Sequence, residues 1–132
     1  MKIMVAYDGS DAAQNALEWV VGNFKGQNPD MILVTVSEGG HDASSNNEWL
    51  SEEDEHECHD ALKKGASWVA GQGLEVDAML AIGDSRKMVA QAIERKNPDL
   101  VVVGRHDDKG FHHSVSEYLI KNSGCNLLIT HS

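Results

Sequence analysis

Cysteine is scarce: Cys58 and Cys125 are the two in 132 residues, and neither belongs to a Cys-x-x-Cys pair. Their separation argues against a disulfide framework. Cys125 heads an apolar strand and reads as a small buried hydrophobe, while Cys58 sits among acids that disfavour a reactive thiolate, so neither is expected to be catalytic. Basic residues are also few, with eleven Lys and Arg against twenty-one Asp and Glu and a formal charge of −10. The stretch from His41 to Asp60 contains eight of the acids and no Lys or Arg. Such a surface repels nucleic acid and anionic lipid, because both kinds of binding rest on Lys and Arg neutralising phosphates. No long apolar run is present at the start, where Met1 to Ala6 gives way to Asp8 without a small-residue cleavage site. Neither a signal peptide nor a spanning helix is expected, which points to the cytoplasm. Internal repeats, low-complexity tracts and linkers are missing as well, and the length suits one domain over residues 1–132.

What is there alternates. Lys2 to Tyr7 is a short β-branched and apolar run closed by Asp8-Gly9-Ser10, a turn followed by a helix N-cap. From Asp11 the apolar residues Ala12, Ala13, Ala16, Leu17, Val20, Val21 and Phe24 fall at a period near 3.6, one face of a first helix. Met31 to Val36 is apolar almost without alternation, as in a parallel strand covered on both faces. A polar loop over Ser37 to Asn47 precedes a second helix expected from about Ser51 to Gly71, stopped by Gly71-Gln72-Gly73. Leu74 to Ile82 reads as a third strand, Ser85 to Lys96 as a third helix with Met88, Val89, Ala92 and Ile93 inward, and Leu100 to Val103 as a fourth strand. A loop from Arg105 to His113 leads to a fourth helix over Ser114 to Asn122 and a last strand over Asn126 to Thr130. This order argues for right-handed crossovers and a parallel α/β sheet with helices on both faces.

In an open doubly wound sheet, ligands bind beyond the carboxyl ends of the strands, where the strand order reverses. Asp8 follows the first strand and Gly104 ends the fourth; as neighbours at the reversal they would face one crevice. Plainer roles compete for the same residues. Asp8 fits a brace for its turn, Ser10 and Ser114 fit helix caps, and Gly104 and Gly110 fit the backbone geometry of a tight loop. Glu52, Glu55, His56 and His59 share a helix face at i, i+3 and i, i+4 spacings, but without a His-Glu-x-x-His motif this reads as a solvated face, and no metal site is expected. His106, His112 and His113 crowd the crevice and would meet an anion when protonated, although loop solvation is the default. No nucleophile with a positioned base is recognisable: Ser114 and His113 are adjacent, and adjacent residues at a helix start rarely converge. No catalytic residue is assigned.

Several motifs in order resemble the universal stress protein family: the first strand with Asp8-Gly9-Ser10, the Gly83-Asp84 turn, the run from Asn97-Pro98-Asp99 to Gly104, Ser114-Val115-Ser116-Glu117, and the final apolar strand. The likeness covers essentially the whole chain. It implies an open five-stranded parallel sheet of strand order 3-2-1-4-5, of the adenine nucleotide alpha hydrolase-like kind. In members that bind ATP, an Asp after strand one and the main chain at the end of strand two hold adenine and ribose. A Gly-x2-Gly-x9-Gly-Ser/Thr loop after strand four wraps the phosphates. By resemblance the matching positions are Asp8, Val36, Gly104, Ser114 and Val115, with Gly9, Ser10, Arg105, Gly110 and Ser116 beside them. Glycines let backbone N–H groups approach phosphates, and a helix N-terminus adds a favourable dipole.

Here the loop departs from that pattern. Asp107 stands where the second Gly belongs and His113 where the last belongs, and the nine residues between Gly104 and Ser114 leave the loop about four short. Asp107 and Asp108 would each repel a triphosphate by roughly 1 kcal/mol per charge pair at about 4 Å in water, while Arg105, Lys109 and the fourth helix's N-terminus pull the other way. The chain is closer to the family branch without the Gly-rich loop. The expected function is a non-enzymatic stress-response module, with no required cofactor, a homodimer through the C-terminal strand, and a protein partner that the sequence does not identify. Pairing of the last strand is common in the family, and Asn126 to Thr130 would otherwise leave an apolar edge. The alternatives are a switch that holds ATP or another adenine nucleotide between Asp8 and the fourth helix, and a slow nucleotide hydrolase.

Overall fold

The central strands are apolar because they are covered twice. In the computed structural model, which describes residues 1–37, 48–49, 56–105 and 111–131, β1 (Lys2–Ala6) lies between β2 (Asp30–Ser37) and β5 (Leu100–Arg105), parallel to both. Beyond β2 comes parallel β4 (Val76–Ile82), and beyond β5 comes parallel β6 (Asn126–His131). The five parallel strands thus run in the expected order 3-2-1-4-5, and the reversal falls beside β1. Alternate residues feed two cores. Ile3, Val5, Leu33 and Val102 pack with α1 (Asp11–Phe24) and α2 (His56–Gly71) through Leu17, Val20, Leu62 and Val69. Met4, Val34, Val101 and Val103 pack with α3 (Ser85–Lys96) and α4 (Phe111–Asn122) through Met88, Val89, Val115 and Leu119.

Local chemistry sets the helix ends. Ser10 caps α1, its hydroxyl accepting from the Ala13 N–H at 3.2 Å. Asp84 caps α3, and Asn97 ends that helix in the left-handed conformation at φ 48°, just ahead of Pro98. Gly73, at φ +83°, supplies the turn that stops α2. The buried face of α1 is the one the periodicity predicts, with Phe24 partly buried at its end.

Several features differ from the sequence expectation, strand bounds among them: the strand expected from Leu74 begins at Val76, and the first ends at Ala6 rather than Tyr7. A two-residue strand, β3 (Glu48–Trp49), pairs antiparallel with Ile82 and Ala81 at the β4 edge; two residues carry no periodicity that would announce a strand. The fourth strand continues through Arg105, and α4 begins at Phe111 rather than Ser114. Ser114 is therefore inside the first turn of α4 and does not cap it; Phe111, His112 and His113 contain no breaker, so the helix extends back to the residue after Gly110. Cys125 is half-buried rather than fully buried, because it stands where the chain enters an outer strand. Residues 51–55, where the second helix was expected to begin, lie outside the described residues, and the helix is described from His56.

Candidate functional site

At the carboxyl end of β1 the chain must leave the sheet for α1, and Tyr7 and Asp8 make that exit. Tyr7 stays tied to β2, its N–H donating to the Val34 carbonyl at 2.8 Å and its carbonyl accepting from the Thr35 hydroxyl at 2.5 Å. The Tyr7 ring turns toward α2, where Gly65 leaves it room: a Cβ on Gly65 would come within 2.7 Å of the ring. The phenol donates to Gln14 Oε1 at 2.7 Å, and Gln14 in turn donates to Glu18 at 2.9 Å. Burial first, then the negative charges of Asp8 and Glu18, push the Tyr7 hydroxyl pKa upward, so the phenol stays protonated.

Asp8 is half-buried and accepts a hydrogen bond from the Ser10 N–H at 2.9 Å, bracing the turn. Gly9 has φ +83°, and a Cβ there would lie 2.9 Å from the Ala61 Cβ, so both its conformation and its closeness to α2 require glycine. Gly104 is buried in β5, not in a loop. A Cβ on it would sit 2.8 Å from the Ala12 carbonyl carbon, so its small size lets the first turn of α1 lie against the strand end.

A crevice opens at the switch point on the α3 and α4 side. It is lined by Ala6, Tyr7 and Asp8 from the β1 exit, Val34 and Val36 from β2, Ser85 and Val89 from α3, and Val115 from α4. Its free volume is about 20 Å³, room for one water-sized group. Valine walls, one carboxylate and one buried hydroxyl, Ser85, give it an apolar character with an acceptor at the rim. The structure brings together three of the residues expected there, Asp8, Val36 and Val115. Ser10 is occupied as a cap, Gly9 and Gly104 serve close packing, and Ser116 is buried without lining the crevice. Arg105 ends β5 and Ser114 belongs to α4. Gly110 lies outside the described residues, with His106, Asp107, Asp108 and Lys109, as do Glu52 and Glu55.

Ala6, Tyr7 and Val34, and from α3 Ser85 and Val89, are the lining residues that sequence reasoning did not name as such. Val89 was legible as an inward position of its helix, and Ser85 follows the Gly83-Asp84 turn; nothing in one sequence says that their turn faces the Asp8 exit. The turn itself is well held. The Gly83 N–H, at φ 142°, donates to the Ser37 carbonyl at 2.9 Å, and Asp84 accepts from the Arg86 N–H at 2.9 Å and from its guanidinium at 3.1 and 3.3 Å. The side-chain bond from Arg86 leads in holding the Asp84 carboxyl below its usual range, with help from the Arg86 and Lys87 backbone and the Arg86 charge against a smaller opposing effect of burial. No described helix is long and apolar enough to cross a membrane.

The chain is 26% identical over 97% of its length to a universal stress protein of Methanocaldococcus jannaschii, of which it covers 80%. Its fold is similar to UspA of Lactobacillus plantarum, with TM-score 0.74 and 17% identity, covering 98% of this chain and 97% of that one. It is likewise similar to an Arabidopsis thaliana protein of the family solved with AMP bound, with TM-score 0.73 and 18% identity over 99% of this chain and 91% of that one. The sequence model of the universal stress protein family matches residues 1–131, and with the 3-2-1-4-5 sheet and the crevice beside β1 in agreement, the chain belongs to the universal stress protein family.

Proposed function

We propose that this protein is a cytoplasmic stress-response module that works through the surface of a homodimer, without an enzymatic activity of its own, and whose nucleotide crevice has been dismantled. The observation that carries this reading is the narrowness of the crevice: between Val34, Val36, Val89 and Val115 about 20 Å³ is open to a water-sized group. The shortened stretch between Gly104 and Ser114, with aspartates at 107 and 108 in place of glycine-rich chain, supports it. Its acidic composition favours a protein partner over nucleic acid or a lipid surface.

A second reading, an adenine-nucleotide switch, is favoured by solved relatives of the fold. The Arabidopsis protein was solved with AMP, another universal stress protein with cAMP, and one from Archaeoglobus fulgidus with dAMP. Under that reading Asp8 and the backbone at the start of α4 would hold the ligand, and the valine walls would have to part.

Calorimetric titration with ATP, with and without magnesium, then AMP and cAMP, separates the two. The surface module gives no saturable heat up to millimolar ligand from a folded dimer. Saturable binding that disappears in Asp8→Asn establishes the switch instead, and release of phosphate from the bound ligand establishes a hydrolase.

A further inference from the structure

The two helices that wall the crevice are tied to one another at the turns that line it. On α3, Arg86 and Val89 are three residues apart and share a face; on α4, Val115 and Tyr118 do the same. Val89 and Val115 line the crevice, while the Arg86 guanidinium lies over the Tyr118 ring at 5.8 Å from its centre, within cation–π reach. Arg86 does not reach out freely. Both of its bonds to Asp84, at 3.1 and 3.3 Å, anchor it to the cap of α3, immediately beyond the Gly83 contact with the end of β2. The chain of contacts therefore runs from the sheet through Asp84 and Arg86 to Tyr118 and α4, and α3 and α4 pack together along it.

We infer that Arg86 and Tyr118 are positioning residues of the crevice: their stacking holds α3 against α4, keeps Val89 and Val115 closed on Val34 and Val36, and sets the aperture against an adenosine monophosphate. This rests on the reading above that the crevice is shut in the resting protein. A planar guanidinium on an aromatic face suits the task because it keeps its stacking geometry where the side chain is half-exposed, at 48% for Arg86. Two changes spare the fold while loosening the tie. Arg86→Gln alters a side chain at the surface, and Tyr118→Leu keeps an apolar group at a half-buried position.

AMP affinity is measured by competition NMR on the full chain for the wild type, Arg86→Gln, Tyr118→Leu, Tyr118→Phe and the Arg86→Gln/Tyr118→Leu double variant, each checked for cooperative melting. Arg86→Gln and Tyr118→Leu are each expected to bind AMP about two- to fivefold more tightly than the wild type, the scale of one exposed cation–π contact. The double variant should gain no more than either single change, because both remove the same contact. Tyr118→Phe keeps the ring face and should match the wild type. Amide exchange at residues 85–89 and 115–118 should quicken in the two single variants and not in Tyr118→Phe. Equal affinity across the series, additive gains, or a Tyr118→Phe that behaves as Tyr118→Leu would overturn the inference. Wild-type affinity weaker than millimolar agrees with a shut crevice; a tighter wild type removes that reading but leaves the ratio between variants as the test of the tie. No binding by any of the five proteins removes the tie as a gate and leaves the surface-module reading intact.

Discussion

Asp84 does three things with one carboxylate: it caps α3, pairs with Arg86, and stands next to the turn that joins β4 to the crevice wall. Its acidity follows from that. Hydrogen bonds to the ionised form keep its folded pKa below the unfolded value of about 3.9. The folded state therefore releases this proton more readily, so the stabilisation is present above about pH 4 and is lost as pH falls through the folded pKa. Asp84→Asn keeps a cap acceptor but has no proton to titrate. At neutral pH the variant should be less stable than the wild type by about 0.5 kcal/mol, a small value because the pair is largely open to solvent. The gap should close below about pH 4. Urea unfolding of both proteins from neutral to acid pH reads this directly, and a gap that widens on acidification would contradict the assignment.

At the scale of elements, two glycines carry opposite expectations. Gly22 lies on the exposed face of α1, where a Cβ would meet nothing within 4 Å, so it only weakens the helix. Gly22→Ala should stabilise the protein by about 0.5–1 kcal/mol. Gly104→Ala places a methyl group against the backbone of Ala12, which cannot swing aside like a side chain, and should cost about 1–3 kcal/mol. Thermal or denaturant melts of the two variants should move in opposite directions; a neutral Gly104→Ala would mean that α1 does not seat against β5 as described. The elements were legible where local signals and packing agreed. Asp84 before Ser85 and Asn97-Pro98 after Lys96 bracket α3 to the residue, and the unbroken run Met31 to Val36 reveals a strand buried on both faces. They were illegible where a local signal was ambiguous: Ser114 resembles a cap, but the chain before it is already helical. The candidate site shows the same division. Asp8 could be found because it ends a strand at a reversal, and Val36 and Val115 through family resemblance. The contribution of Ser85 depends on a sheet crossover bringing the α3 start beside β1, which is a long-range fact no local pattern encodes.

At the scale of the whole molecule, β6 closes one side of the sheet, and among the described residues no strand pairs with its outer edge. Its Leu127, Leu128, Ile129 and Thr130 are only partly buried in the single chain. Unpaired apolar strands invite association, and a second copy of the same strand across a two-fold axis is the simplest closed solution. Against it stands a charge of −10 on each copy, which makes the approach of two protomers repulsive. The balance depends on salt. The screening length falls from about 30 Å at 0.01 M to about 10 Å at 0.1 M, so the repulsion fades while apolar burial does not. The proposed dimer should therefore tighten several-fold as salt is raised over this range, measured by sedimentation equilibrium. Ile129→Lys, at a half-buried position of β6, should leave a folded monomer at concentrations where the wild type is dimeric. An association that weakens with salt would instead rest on charge pairs, and one that survives Ile129→Lys would place the contact on another face.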